Sequence, residues 1–86
     1  MDEIDQARIA RLCPALRALL DAEVKAGNSV AETWEGWGFV IMLASPFVLR
    51  HSPGVEKLEF RDVDDPHHWK SEYRCRVHDQ VVACRF

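Results

Sequence analysis

The chain has no long hydrophobic run. Its longest, Phe39–Ala44, falls far short of the roughly 20 apolar residues that a membrane-spanning helix needs, so no transmembrane segment is expected. It also lacks a positive start. Met1-Asp2-Glu3-Ile4-Asp5 is acidic where a secretion signal carries basic residues, which points to a cytoplasmic protein. With 3 cysteines, an odd number, one chain cannot complete a disulfide framework, and reduced thiols packed as small apolar groups are the expectation. Gly-x-Ser-x-Gly is absent. Gly36-Trp37-Gly38 has neither the third glycine nor the following helix of a dinucleotide loop, and reads as a turn. No nucleophile, base and orienting acid share a recognisable spacing, so the sequence points away from an enzyme and calls for no cofactor.

Positive charge is scarce as well. The net charge of −3 is the wrong sign for a protein that must neutralise phosphates, which argues against nucleic acid as the main partner. The charge is unevenly spread: residues 29–66 balance to −4 and residues 67–86 to +2. Hydrophobic residues make up 48% of the 86, with 29% charged, and that mixture supports a packed core rather than disorder. A chain of this length is expected to form one domain over residues 1–86.

Periodicity supplies the elements. Ile9, Leu12, Leu16, Leu19, Leu20 and Glu23-Val24 recur at spacings of three and four, predicting an amphipathic helix over residues 2–26. Asp21 and Lys25 are placed to pair along it, and Gly27-Asn28 to end it. Pro14 costs about 3 kcal/mol inside a helix but little in a first turn. The apolar phase continues through it, which favours one kinked helix over two.

From Val30 the period becomes extended. Val30–Glu35 alternates, Phe39–Ala44 is apolar on both faces, and Leu58 and Phe60 point inward from an alternating 57–61 segment. Asp64-Asp65-Pro66 is expected to cap a helical turn at His67-His68-Trp69. Tyr73, Cys75 and Val77 share a face with Val82, Cys84 and Phe86 if Val77 pairs with Val82 and Cys75 with Cys84. The resulting fold class is α+β: one N-terminal amphipathic helix on a four- to five-stranded antiparallel meander sheet.

Gln80-Val81-Val82-Ala83 resembles the start of the Gln-Val-Val-Ala-Gly loop of cystatins, which are also a helix wrapped by an antiparallel sheet. The resemblance implies an exposed protease-blocking hairpin. Here Cys84 replaces the glycine that shapes that loop, and the segment alternates as a strand.

Two functional expectations follow. A single helix covers one sheet face, which leaves Val40 and Met42 on the other, with Trp34, Trp37 and Trp69 near by. Such a patch predicts a non-enzymatic interaction domain that binds a protein partner or itself as a homodimer. The alternative is a small metal- or ligand-binding protein using the Asp64–Trp69 turn, with His67, His68, Asp64 and Asp65 as candidate ligands and His51 or His78 completing the set. Adjacent histidines diverge on either a helix or a strand, so at most one of His67 and His68 serves.

Overall fold

The computed structural model of the chain describes residues 3–36, 38–61, 63–65 and 67–85. The N-terminal segment forms two helices, α1 (Glu3–Ala10) and α2 (Pro14–Lys25). Pro14 stands at the start of α2, where its missing N–H leaves no gap in the hydrogen bonding, so the expected single kinked helix is instead broken at residues 11–13. The apolar phase survives the break because Ile9, Leu12, Leu16 and Leu20 all enter the same core. Asp21 pairs with Arg17 at 3.3 Å rather than with Lys25. Gly27, at φ 97°, ends α2 in the left-handed conformation that glycine adopts without strain.

Five strands follow: β1 (Val30–Glu35), β2 (Phe39–Leu43), β3 (Glu56–Arg61), β4 (Trp69–Val77) and β5 (Gln80–Arg85). They form one sheet in the order β1-β2-β5-β4-β3. The fold is α+β, but the sheet is mixed and not a pure antiparallel meander: β2 and β5 run parallel, with Ile41 beside Val82. These two strands are apolar on both faces, as central strands must be. A meander would have put β5 at an edge and left Val81 and Ala83 wet. Residues 44–55 instead carry the chain from β2 to the far edge, and a single 3-10 turn at Leu49–His51 drops the fully buried Leu49 into the core on the way.

Both helices and this crossover lie over one face of the sheet. There Phe39, Ile41, Leu43, Val82 and Cys84 are buried, with Tyr73, Cys75 and Val77 packed beside them. The β4–β5 hairpin is tighter than expected: Val77 pairs with Gln80, Cys75 with Val82 and Tyr73 with Cys84. Relative to the expected pairing the shift is two residues, so the faces are preserved. It leaves a two-residue turn, His78-Asp79, with His78 at φ 55°. Phe86 lies outside the described residues. The Gln80–Cys84 segment that resembles the cystatin loop is thus the body of a central strand.

Two polar nodes fix the layers, and the first is buried. Glu23, fully buried on α2, accepts the N–H of Val48 at 2.6 Å and also that of Leu49, and so ties the crossover to the helix. The Asn28 side chain donates to Glu23 and to the carbonyl of Ser45, while its oxygen accepts the N–H groups of Ser29 and Ser45. At the other end, Gln80 accepts the Cys13 N–H at 2.7 Å and donates to the Arg11 carbonyl at 2.9 Å, holding the helix break against β5. Gly38 packs so close to this hairpin that a Cβ there would lie 2.2 Å from the Asp79 carbonyl oxygen.

Candidate functional site

The face away from the helices is built by alternation. Because Phe39, Ile41 and Leu43 point to the core, Val40 and Met42 point the other way. Trp34 stands opposite Val40 on β1, Val81 is beside Val40 on β5, and Ala83 is beside Met42. Together they line a shallow depression of about 80 Å³ whose rim is Glu72, Arg74 and Arg85. Among the described residues that lining comes from strands alone.

Three of the five expected interaction residues, Trp34, Val40 and Met42, are therefore brought together. Trp37 lies outside the described residues. Trp69 does not join them: it pairs with Arg61 at the start of β4, and the alternation that puts Tyr73 in the core puts Trp69 on the helix side, 58% exposed with the Arg61 guanidinium over its ring at 5.2 Å. Leu58 and Phe60 are also corrected. They stand opposite Glu72 and Lys70, so they belong to the open face and not to the helix-covered core.

Sequence reading missed the centre of this face. Glu72 alternates with core residues and looks like a solvated acid, yet it is 2% exposed. One carboxylate oxygen accepts from Arg85 at 2.7 Å and the other from Arg74, at 2.8 Å to Nε and 2.6 Å to a terminal nitrogen. Arg85 also lies over the Phe60 ring at 5.5 Å. Pairing with two guanidiniums is what allows a carboxylate to be buried here. The available signal was the cross-strand position of Arg85 combined with Arg74 two residues along, but reading it requires the correct hairpin register. The side chains of this face partly cover one another. Met42 and Ala83 are buried, while Trp34, Val40, Val81, Leu58 and Phe60 remain half-buried.

The alternative ligand set is dispersed. His67 and His68 are exposed in the β3–β4 loop, where Asp65 accepts the His67 N–H on its side chain and the His68 N–H on its carbonyl. Asp65 thus caps a turn as expected, but the turn does not continue as a helix, because Trp69 already begins β4; Pro66 lies outside the described residues. His78 sits at the opposite end of β4, roughly 30 Å away at about 3.3 Å per residue. His51 accepts from its neighbour Arg50 at 3.2 Å. Among the described residues no three His, Cys, Asp or Glu side chains are grouped to hold a metal ion.

All three cysteines are free. Burial pushes the Cys84 thiol up, and the Glu23 and Glu72 carboxylates push it further. Burial likewise raises the Cys75 thiol, with Cys13 as the second cause. No described helix is long and apolar enough to cross a membrane. Comparison with known proteins gives no matching family, no matching curated protein and no matching solved structure.

Proposed function

We propose that this chain is an interaction domain and that the open face of its sheet pairs with a second copy of the chain. The observation that carries the reading is the contiguous set Trp34, Val40, Met42, Val81 and Ala83 on a face over which no described element packs. Of these, Trp34, Val40 and Val81 are half-buried and gain by losing water, at about 25 cal/mol per Å², while the buried Met42 and Ala83 floor the patch.

Charge favours a copy of the same chain. The molecule is net acidic at −3, but this face balances Lys70, Arg74, Arg76 and Arg85 against Glu32, Glu56 and Glu72. Two copies meet there with less repulsion than over the acidic remainder of their surface. A two-fold contact also needs a patch that carries both signs. Size sets the strength: five strands about 4.8 Å apart and about 20 Å long offer roughly 500 Å² per copy. That totals about 1,000 Å², the lower edge of specific interfaces, so the dimer is reversible.

Sedimentation velocity across a concentration series tests this. The expected result is a monomer–dimer equilibrium that Val40→Lys and Val81→Lys each shift at least tenfold toward monomer with unchanged circular dichroism. A monomer at all concentrations, or a dimer indifferent to both substitutions, refutes it.

A further inference from the structure

The open face carries two rows of residues that run across the strands. Pairing sets Glu32, Met42, Ala83 and Arg74 side by side on β1, β2, β5 and β4, and Trp34, Val40, Val81 and Arg76 side by side one pleat along. Each row has an acid or an aromatic ring at its β1 end, apolar side chains in the middle and an arginine at its β4 end. Charge is unbalanced at both ends. Arg74 and Arg85 share the single carboxylate of Glu72, which leaves one positive charge in excess there. Glu56 stands opposite Arg74 on β3 but makes no ion pair with it among the described residues. Glu32 is exposed and also has no ion pair among the described residues.

We propose that the two-fold axis of the dimer lies parallel to the strands, midway between β2 and β5, and that Glu32 of each copy is the recognition residue held by Arg74 of the other. This rests on the open-face dimer. Rotation about that axis lays β1 over the partner's β4 and β2 over the partner's β5, because the strands of each pair are equally far from it, and it keeps the rows in step. Glu32 then faces the partner's Arg74, Trp34 the partner's Arg76, Val40 the partner's Val81 and Met42 the partner's Ala83, each contact made twice. A carboxylate meets the surplus guanidinium, a ring meets a cation and a long side chain meets a short one. Sheets packed face to face keep their strands within about 30° of alignment, which this axis permits. The other aligned packings are worse matched. An axis perpendicular to the strands through this patch lays β4 over the partner's β4 and sets arginine against arginine. An axis along β5 sets Glu32 against the partner's Glu56 and Met42 against the partner's Arg74. Like charges brought together in a desolvated contact cost affinity and exclude that arrangement.

The test is sedimentation velocity of the whole chain and of Glu32→Lys, together with an isotope-filtered NOE experiment on mixed labelled and unlabelled wild-type chains, which registers only contacts between copies. Glu32 is exposed on an edge strand, so Glu32→Lys leaves the circular dichroism unchanged. The expected result is a dimer weakened roughly tenfold by Glu32→Lys, and inter-chain NOEs from the Trp34 ring to the Arg76 side chain. The sign is decisive, because an axis that opposes Glu32 to Glu56 predicts a tighter dimer for the same substitution. A dimer that Glu32→Lys leaves unchanged or tightens, or one without the Trp34–Arg76 contact, overturns this two-fold while the open-face dimer still stands on the response to Val40→Lys and Val81→Lys. A wild-type chain that stays monomeric overturns both.

Discussion

Glu23 illustrates how a residue's worth depends on what it satisfies. It is fully buried on α2 and accepts from two crossover N–H groups and from Asn28. Glu23→Ala leaves those donors without an acceptor, at about 1–3 kcal/mol for each buried group left unpaired. We expect a loss of at least about 3 kcal/mol in urea unfolding, with the crossover amides losing hydrogen-exchange protection first. The position was legible: Glu23 falls in the apolar phase of its helix, and an acid there is either a mistake in the pattern or an anchor. Its partners were not legible, because Val48 and Leu49 reach it only through the crossover. The thiols give a second expectation. Both Cys75 and Cys84 are held above the ordinary thiol range, so the folded chain retains protons that the unfolded chain releases. Their contribution to stability is fully present below the unfolded thiol value of about 8.5 and is lost as pH rises through the higher folded values. Denaturation series from pH 8 to 11 should show stability falling with pH, with a flatter slope in Cys84→Val.

Elements were readable where the signal is local. Gly27 ended α2 as expected, and β1 spans the expected Val30–Glu35, because backbone freedom and alternation act over a few residues. Pro14 was visible but ambiguous. The same residue kinks one helix or starts another, and the choice depends on whether something outside the helix satisfies the break. Gln80 does so, using both ends of its amide. Gln80→Ala should therefore cost about 1–2 kcal/mol. Hydrogen exchange should show protection falling in α2's first turn while the β4–β5 ladder is unchanged. Equal loss everywhere would show that Gln80 supports the whole fold and not the break.

At the scale of the molecule, the open face stands or falls with the dimer expected of it, and Val40→Lys and Val81→Lys are the substitutions that bear on it. Its composition came from strand alternation, which put Trp34, Val40 and Met42 on one face. Trp69, Leu58 and Phe60 were misassigned because their strands' registers and the layer above them could not be read from alternation alone. The sequence by itself determined the α+β class, most of the strand segments and most of the residues that share a face, since each depends on a period carried by neighbouring residues. Only the tertiary structure decided that β2 lies parallel to β5, that the crossover runs on the helix side, and that Glu72 is buried between Arg74 and Arg85. Those outcomes join residues dozens of positions apart. They follow from which faces can be covered at once when every buried polar group must also find a partner, a condition that no local pattern records.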